Sequence, residues 1–381
     1  MRSVVHLLSD DSGRDFLADR GIFADTTEFR RRLRVPGDPA LAGALGLDRP
    51  YPVYVCQQTQ IDYPKSVASK FRATVGLAKH PEVAPISLWM DTDHAKTAAS
   101  TIAFTSRDEQ FRTRVVPNRV RDVETRFLTV DKARVDAALT EVGDWLDPRV
   151  PEPTRATMRN RLARLKDSVA APSVRTLAEV NLALSSVVLD EHLGFAPPST
   201  LVSDVVGAGM LDTTLDAVLN HIDDFVAAFN GRIAELVAAD IDPRVHTLPA
   251  DYLPLYFSCP TDGLRRRLAH QREGADHLAV ATCHCGTTYR FHLGAGRLSA
   301  AELMATGRWS VDVCLPLFVD GLVSGAVVGR SSALYGLVLN EVATKVLGID
   351  PVPLLVPTDL PETVALPDRP DSVLHDYLTA S

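Results

Sequence analysis

The sequence predicts an α/β fold in which a parallel sheet forms the core and a helical block interrupts it. Short apolar runs typical of buried strands occur toward both ends of the chain, whereas the middle third has the 3.6-residue apolar period of helices. Toward the amino-terminal end, one strand pattern is followed by a helix pattern and a second strand pattern, which is the order of a parallel βαβ unit. These observations together predict a Rossmann-like parallel sheet core with a helical insertion.

The composition is that of a folded, soluble protein. Its 381 residues allow two or three domains, or one large α/β domain with an insertion, and 46% of them are hydrophobic. The net charge of −8 argues against a general nucleic-acid binder and against a binder of anionic membranes, since both need a basic surface. No apolar run approaches the roughly 20 residues of a membrane span, and residues 1–10 lack the regions of a signal peptide, so we expect a cytoplasmic protein.

The pattern divides the chain into three regions. Residues 1–128 are expected to form the first part of the core, residues 129–250 the helical insertion, and residues 251–381 the second part of the core. Residues 15–33 have an amphipathic pattern, which predicts a surface helix with solvated arginines or, alternatively, an arm that contacts anions. The apolar stripes of the insertion pack on one another or on a second subunit, so a homodimer through the insertion is one expectation.

The first part of the core contains the predicted strand, helix and strand. The apolar run at residues 52–56 predicts a strand, residues 64–78 predict a helix, and residues 86–90 predict a second strand. Each of these strands is followed directly by polar residues. Because open α/β sheets bind ligands at the carboxyl ends of their strands, we expect the functional site here.

Period and composition also predict the remaining elements. Helices are expected in the insertion at residues 130–146, 153–166, 174–193 and 215–237. The second part of the core is expected to contain strands at residues 253–257, 311–319 and 352–356, helices at residues 300–305 and 332–347, and a Gly-rich turn at residues 323–330. The last 25 residues contain four prolines and many polar groups, and they predict a tail on the surface.

Cysteines and histidines gather between residues 259 and 293, which predicts a small Cys/His zinc-binding module. The candidate ligands are Cys259, His270, Cys283 and Cys285, because zinc prefers four nitrogen or sulfur ligands in a tetrahedron. In a reducing compartment, clustered cysteines indicate metal binding or catalysis. The alternative is a set of buried thiols beside scattered surface histidines. Four protein ligands favour a structural zinc, whereas three would leave a position for a substrate.

The residues that follow the two strands are the candidate catalytic groups. Asp91, Asp93 and His94 follow the second strand, where acids hold Mg²⁺ or a substrate amine and a histidine moves protons. Their alternative role is to cap the next helix. Gln57 and Gln58 follow the first strand, and their amide groups bring donors and acceptors to a place with little structural need for them.

Two further groups are candidate nucleotide contacts. Ser66 and Lys70 are four residues apart and share a face of the helix after the first strand, although a solvated lysine is the ordinary alternative. The second group joins a late strand to a helix whose amino terminus favours anions, and it consists of Gly329, Arg330, Ser331 and Ser332. Neither the phosphate-loop motif nor the dinucleotide-binding motif is present.

Taken together, these motifs resemble the bacillithiol-biosynthesis cysteine ligase family. In that family a Gly-Gln-Gln loop leads into a helix with a Tyr and a Lys, and the next strand ends in Trp-x-Ala-Thr-Glu-Asp-His-Asp. The corresponding segments here are Cys56-Gln57-Gln58 with Lys70, and Trp89-Met90-Asp91-Thr92-Asp93-His94. The late Gly-Gly-Pro-Gly-Glu turn of the family corresponds to Val328-Gly329-Arg330-Ser331-Ser332, which lacks the proline and the glutamate. The family chain is also longer, and the cysteine and histidine cluster is not part of its pattern.

The resemblance implies a fold and a reaction. Members of the family look like relatives of class I aminoacyl-tRNA synthetases, with a Rossmann-like core and helical insertions. It therefore implies an ATP-dependent ligase that joins an amino acid, with cysteine favoured, to an amine acceptor. The implied roles are phosphate contacts for Lys70 and Arg330, orientation of amino groups by Asp91 and Asp93, and proton transfer by His94.

The expected cofactors are ATP, Mg²⁺ and a structural Zn²⁺, and the expected partners are a small amino acid and an amine, with no nucleic acid and no membrane. Two other functions stay open. The chain is alternatively a synthetase-like nucleotidyl transferase or ligase that uses another amino acid, or a non-catalytic Rossmann-like protein whose helical block binds a partner.

Overall fold

The computed structural model describes residues 1–95, 97–105, 109–116, 122–312, 315–358 and 370–380. Within these ranges the protein has a mixed α/β fold, as the sequence predicts, and its strands form three sheets. The chain divides into two compact units. Unit 1 comprises Met1–Cys56, Leu77–Leu88 and Pro198–Thr358, and unit 2 comprises Gln57–Gly76, Trp89–Pro197 and a carboxyl-terminal segment that includes residues 370–380.

The strands are numbered in chain order. They are β1 (Ile22–Phe23), β2 (Tyr51–Gln58), β3 (Val83–Met90), β4 (Thr101–Thr105), β5 (Gln110–Arg114), β6 (Ser199–Leu201), β7 (Tyr252–Ser258), β8 (Arg265–Glu273), β9 (Asp276–Thr282), β10 (Thr288–Gly294), β11 (Trp309–Val311), β12 (Gly325–Val327) and β13 (Leu354–Leu355).

The helices are numbered in the same way. They are α1 (Val4–Leu8), α2 (Asp11–Ala18), α3 (Thr26–Arg31), α4 (Ala40–Ala44), α5 (Lys65–Ala78), α6 (Thr97–Ser100), α7 (Lys132–Leu146), α8 (Glu152–Ala170), α9 (Leu177–Leu193), α10 (Val202–Gly207), α11 (Asp212–Asn220), α12 (Ile222–Ala238), α13 (Ala301–Met304), α14 (Leu315–Val319), α15 (Arg330–Val342) and α16 (Val373–Thr379). None of the helices in the described ranges combines the length and the apolar character needed to cross a membrane.

The first sheet of unit 1 has six strands in the order β1-β13-β12-β2-β3-β6. Its ladders from β1 to β2 are parallel, with Ile22 opposite Leu354 and Ala326 opposite both Leu354 and Tyr54. Val53 and Val55 of β2 are completely buried, as are Ile86 and Leu88 of β3. A strand whose two faces are both covered reads as a continuous apolar run, which is why the sequence pattern found β2 and β3.

The second sheet of unit 1 is antiparallel, with the order β10-β9-β8-β7-β11. The strands from β7 to β10 are joined in sequence by short turns, so consecutive turns lie at alternating ends of the sheet. The β7–β8 turn and the β9–β10 turn therefore lie at the same end. Phe257 pairs with Arg266 beside the first turn, and Thr282 pairs with Thr288 beside the second.

Unit 2 is built from helices and one hairpin. The strands β4 and β5 pair in antiparallel register, with Phe104 opposite Phe111, and Trp145 of α7 packs against both rings. Helices α7, α8 and α9 bury apolar stripes, and α16 contributes four buried side chains, which are Val373, Leu374, Tyr377 and Leu378. The predicted helices at residues 130–146, 153–166 and 174–193 are confirmed as α7, α8 and α9.

Several predicted elements are wrong in type or length. Residues 15–33 contain α2, β1 and α3 instead of one surface helix, because Gly21 takes a left-handed conformation (φ 76°) and β1 pairs with β13. Residues 215–237 form two helices that are separated at His221, whose backbone leaves the helical region (φ −122°, ψ 26°). The apolar stripe continues across this break, so its period did not reveal it.

The predicted strand at residues 311–319 is also wrong. Only Trp309–Val311 is a strand, and Leu315–Val319 is a helix that accepts Pro316 in its first turn, where a proline needs no amide donor. The predicted Gly-rich turn contains the strand β12. Its residues are small because Phe29 and Leu33 approach Gly325 closely, so that a Cβ there would lie 2.8 Å from atoms of both side chains.

The last two expectations concern the carboxyl-terminal tail and the limits of the helical insertion. The predicted surface tail contains α16, whose apolar residues are buried, so that expectation is wrong for residues 373–379. Residues 129–250 are mostly helical, and the boundary between the two units falls inside them, between Pro197 and Pro198. The predicted domain limits stay a prediction.

Gly13 tests the close packing of α1 against α2. A Cβ built on Gly13 would lie 2.1 Å from the carbonyl oxygen of Leu7, and this backbone atom cannot swing aside as a side chain can. We expect Gly13→Ala to destabilise the protein by roughly 2 to 3 kcal/mol in chemical denaturation. The control is Gly231→Ala in α12, where a Cβ meets nothing within 4 Å, and it should instead raise stability by up to about 1 kcal/mol.

Candidate functional site

Among the described residues, two clusters of side chains carry groups that are suited to binding or catalysis. The polar cluster belongs to unit 2 and consists of Gln57, Gln58, Lys70, Asp93 and His94. The thiol cluster belongs to unit 1 and consists of Cys259, Asp262, Cys283 and Cys285.

The polar cluster is built at the ends of β2 and β3. Strand β3 ends with its apolar run at Met90, whereas β2 continues two residues beyond its apolar run, so Gln57 and Gln58 are its last residues. The amide of Thr59 donates to the carbonyl of Met90 at 3.1 Å and keeps the two chain ends together beyond the strands. The polar side chains at the end of β2 and those that follow β3 are consequently neighbours.

Gln58, Asp93 and His94 form a chain of hydrogen bonds. Gln58 Nε2 donates to Asp93 Oδ2, while Asp93 Oδ1 accepts from the amide of His94 at 2.8 Å. Nδ1 of the His94 ring lies 2.9 Å from the same Oδ1. The side chain of His94 remains 41% exposed. Asp93 therefore orients an imidazole whose outer edge faces solvent.

Lys70 extends the polar cluster from α5. Its Nζ donates to Gln57 Oε1 at 2.6 Å, and the residue is only 8% exposed. Ser66, which was predicted to act with Lys70, is exposed, and its carbonyl accepts from Ser69 at 2.7 Å. The structure thus pairs Lys70 with the end of β2, and the serine one helical turn earlier faces outward.

Residues 123–126 support the polar cluster from behind. Thr125 Oγ1 donates to the carbonyl of Asp91 at 3.0 Å and lies 3.1 Å from Thr59 Oγ1. The segment also pairs with β3's continuation, since the amide of Ala95 donates to the carbonyl of Val123 at 2.8 Å. The side chain of Asp91 is completely buried in this region. Asp91 is thus an internal acid, whereas Asp93 reaches the surface.

Asn181 of α9 fixes the same region. It is completely buried, and its Nδ2 donates to the carbonyls of Thr59 and Ala99 at 3.1 and 3.0 Å. These bonds supply donors to two carbonyls that lie outside regular secondary structure pairing. A small recess borders these residues, and its lining consists of Gln58, Thr59, Gln60, Met90, Asp93, His94, Ala99 and Thr125. It is therefore polar on the side of Asp93 and His94.

The thiol cluster lies on two neighbouring turns of the antiparallel sheet. Cys259 and Asp262 belong to the β7–β8 turn, and Cys283 and Cys285 belong to the β9–β10 turn. One ligand atom from each of the four residues lies within 4.8 Å of the others, so the group could hold a metal ion. Cys259 Sγ is 3.8 Å from Cys285 Sγ, and Cys283 Sγ is 2.9 Å from Asp262 Oδ2.

Hydrogen bonds polarise the thiol cluster strongly. Burial raises the pKa of Cys259, but the Tyr289 hydroxyl, backbone amides and the Cys283 thiol donate to its sulfur and lower the pKa to about 7. Burial, together with the bonds that Cys283 donates to Asp262 and Cys259, raises the pKa of Cys283 to about 12. Burial also raises the pKa of Asp262, but hydrogen bonds from the Cys283 thiol and the Leu264 amide outweigh this effect and lower the pKa to about 2. The lowered pKa values favour the charged forms of Asp262 and Cys259, whereas the raised pKa of Cys283 favours its protonated thiol.

His270, the predicted fourth ligand, is not part of the thiol cluster, and this expectation is corrected. It lies in the middle of β8, and its Nε2 is 2.8 Å from Nδ1 of His277 on β9. The two rings stack with centroids 5.0 Å apart. Strand β8 carries His270 away from the turn, while Asp262 stays in it. Asp262 could have been found from its spacing, because Cys259-x-x-Asp262 repeats the two-residue gap of a metal-binding turn.

The late predicted contact group belongs to unit 1. Gly329 precedes the first turn of α15, with Arg330, Ser331 and Ser332 inside that turn. Ser331 and Ser332 are exposed, and Nε of Arg330 is buried without a hydrogen-bond partner among the described residues. The polar cluster belongs to the other unit, so these four residues are a separate group. Gly329 is the N-cap residue of α15 and has an extended conformation (φ −74°, ψ 161°), which any residue can adopt.

Sequence reasoning missed Thr125 and Asn181. Thr125 carries no motif, because its role depends on contacts with Thr59 and Asp91, which are distant from it in sequence. Asn181 did carry a signal, since it interrupts the buried apolar stripe of α9 at a position that faces the interior. A polar residue at such a position indicates a partner inside the fold.

The sequence matches no protein-family model, and it matches no curated protein. The family resemblance seen in the motifs therefore stays a prediction.

Asn181 is a direct test of the support beneath the polar cluster. We expect Asn181→Ala to destabilise the protein by roughly 2 to 4 kcal/mol, because it leaves two buried carbonyls without donors. Thermal or urea unfolding measures this change. The control is Ser186→Ala on the exposed face of the same helix, which should change stability by less than about 0.5 kcal/mol. Equal effects of the two substitutions would contradict the assigned role.

Proposed function

We propose that the polar cluster is the active centre of an ATP-dependent ligase that joins an amino acid to an amine acceptor. The observation that carries this proposal is the hydrogen-bonded series of Gln58, Asp93 and His94 at the carboxyl ends of neighbouring strands, where α/β sheets bind substrates. In this proposal the core that contains β2 and β3 is Rossmann-like. Cysteine is the favoured amino acid, because the same segments resemble the cysteine ligase motifs.

The polar cluster contains the chemical groups that such a reaction requires. Asp93 accepts hydrogen bonds and suits an ammonium group, which it would hold in a fixed orientation. His94 is partly exposed and is bonded through Nδ1, so Nε2 is the atom suited to proton transfer. Lys70 is a buried cation at the start of the site and suits a phosphate.

In the proposed reaction, a carboxylate oxygen of the amino acid attacks a phosphorus atom of ATP. This forms a mixed anhydride and breaks a P–O bond of ATP, which releases pyrophosphate if the α-phosphorus is attacked or ADP if the γ-phosphorus is attacked. The amine then attacks the activated carbonyl carbon, the bond to the phosphate-bearing oxygen breaks, and His94 takes the proton that the amine loses. Asp93 reaches the surface and is the carboxylate that would hold Mg²⁺ with the phosphates, whereas Asp91 is completely buried behind it. Gly329, Arg330, Ser331 and Ser332 belong to unit 1 and are proposed as a separate candidate anion site at the amino terminus of α15.

We also propose that the thiol cluster holds a structural Zn²⁺. Two sulfurs that bind one zinc tetrahedrally at about 2.3 Å each lie about 3.8 Å apart. The sulfurs of Cys259 and Cys285 lie 3.8 Å apart. Thiolates are soft ligands that favour zinc over Mg²⁺ or Ca²⁺, and a carboxylate is an accepted fourth ligand. The metal would cross-link two turns that β8 and β9 separate in the sequence.

The ligase proposal is tested by measuring release of AMP or ADP from ATP in the presence of each of the twenty amino acids. We expect release with one amino acid, with cysteine favoured, and dependence on an added amine. Turnover with a different amino acid supports the synthetase-like alternative. If the protein neither binds nor cleaves ATP, the ligase proposal is wrong and the partner-binding alternative gains support.

The same assay tests the assigned residues. We expect Gln58→Ala and Asp93→Asn each to lower kcat/KM at least roughly 100-fold, since both disturb the group that orients His94. The melting temperature should stay close to that of the wild type. The matched control is Gln110→Ala, which alters an exposed glutamine on β5 and should leave kcat/KM unchanged. A large loss of stability without a specific loss of turnover would favour a capping role for these residues.

Metal analysis tests the zinc proposal. Protein purified without chelators should contain about one zinc per chain, and Cys283→Ser or Asp262→Ala should lower that content and the melting temperature. His270→Ala should leave the zinc content unchanged, because His270 pairs with His277 instead. Loss of zinc in His270→Ala together with full zinc in Asp262→Ala would restore the ligand set that the sequence predicted.

A further inference from the structure

Helix α16, near the carboxyl end of the chain, contacts the loop that follows β2. We name residues 59–64 the Asp62 loop. Asp62 Oδ1 accepts from the amide of Tyr63 at 2.7 Å and from the amide of Leu374 at 2.9 Å. In return, the amide of Val373 donates to the carbonyl of Tyr63 at 2.9 Å. The loop and the start of α16 thus satisfy each other's backbone groups.

Lys65, which follows the Asp62 loop, repeats this connection. Its amide donates to Asp371 Oδ1 at 2.8 Å, and its Nζ lies 3.0 Å from Asp376 Oδ2. Two short stretches that are about 300 residues apart in sequence are therefore joined by contacts of both the backbone and the side chains.

The other side of α16 is fixed to the helices of unit 2. Tyr377 Oη donates to Glu191 Oε2 at 2.7 Å, and Arg161 Nη1 donates to the carbonyls of Tyr377 and Ala380 at 2.6 Å. The apolar side chains of α16 are buried. Helix α16 is thus held in place by these contacts, and the Asp62 loop is hydrogen-bonded to it.

Tyr63 connects the Asp62 loop to the polar cluster. The residue is 2% exposed, and its ring packs edge-on against Phe71 with the centroids 5.5 Å apart. Its hydroxyl donates to the carbonyl oxygen of Gln58 at 3.2 Å. A continuous series of contacts therefore runs from α16 through Asp62 and Tyr63 to Gln58, whose side chain holds Asp93.

We propose that α16 is part of the functional site and that Asp62 is a positioning residue, which fixes the backbone of Gln58 and thereby the bond from Gln58 to Asp93. Its effect on turnover rests on the proposed ligase function, whereas its effect on the Gln58 side chain does not. None of the motifs that point to the site includes Asp62 or any residue of α16.

The role assigned to Asp62 is that of an acceptor. Its Oδ1 receives two backbone amides, and an asparagine oxygen can receive the same two. Burial raises the pKa of Asp62 to about 6 against the opposing hydrogen bonds from Ser372 and the two amides, so the negative charge is disfavoured there. We therefore expect Asp62→Asn to keep these hydrogen bonds and Asp62→Ala to lose them.

The test compares Asp62→Ala, Asp62→Asn and Tyr377→Phe in the full chain. Tyr377→Phe removes the bond to Glu191 and leaves the contacts of Asp62 in place, so it controls for weaker docking of α16 alone. The chain has five glutamines, so selective ¹⁵N-glutamine labelling resolves their side-chain amides by NMR, and Gln58→Ala assigns the Gln58 signal. ATP-dependent turnover and thermal melting are measured on the same samples.

We expect Asp62→Ala to shift the Gln58 side-chain amide signal toward that of a solvent-exposed glutamine and to lower kcat more than tenfold, while Asp62→Asn preserves both. Tyr377→Phe should lower the melting temperature and leave the Gln58 signal unchanged. The inference is overturned if Asp62→Ala leaves the Gln58 signal unchanged, or if Asp62→Asn disturbs it as much as Asp62→Ala does. Absence of turnover in the wild type would count against the ligase proposal, and the NMR comparison would still decide the positioning role.

Discussion

The structure depends on strands that are buried on both faces. In such a strand the backbone donors and acceptors pair with neighbouring strands, and most side chains are apolar, because neither face offers water. Val53, Val55, Ile86 and Leu88 meet this demand completely. Apart from Ser87, which is buried within β3, the polar side chains of the β3 segment follow the end of the strand. The polar cluster therefore lies at strand ends, where Lys70 joins it from α5, and the thiol cluster lies in turns.

This constraint also explains how much of the protein could be predicted from its sequence. Apolar runs identified β2 and β3, and the helical period identified α7, α8 and α9, because each of these signals arises from burial of a local segment. The period did not reveal the break at His221, since an apolar stripe continues through a bend when both helices face the same core. The strand β12 was missed because its small residues match the side chains of Phe29 and Leu33, which are distant in sequence.

The candidate sites follow the same division. Gln57, Gln58, Asp93 and His94 could be selected because they are adjacent to recognisable strands, whereas Asn181 and Asp62 act through contacts with segments that are remote in sequence. In the thiol cluster, the cysteines of each turn were evident, but the choice between His270 and Asp262 depended on strand register. A strand rises about 3.3 Å per residue. His270 is the sixth residue of β8 and therefore lies far from the turn, whereas Asp262 lies within it.

The buried charges in unit 2 bear on the choice between a catalytic and a non-catalytic protein. Lys70 is 8% exposed and Asp91 is completely buried, although removal of a charge from water has a large free-energy penalty. In other proteins, replacement of buried ion pairs by well-packed apolar residues is often neutral or stabilising, so burial of these two groups is weak evidence that they serve stability. Elsewhere the core of the described residues is dominated by apolar side chains. A binding surface for a protein partner would need exposed residues and would gain nothing from an internal lysine or aspartate. A site that must meet phosphate, carboxylate or ammonium groups in a water-poor environment does gain from fixed charges, because they act more strongly there and need no reorganisation when the substrate arrives.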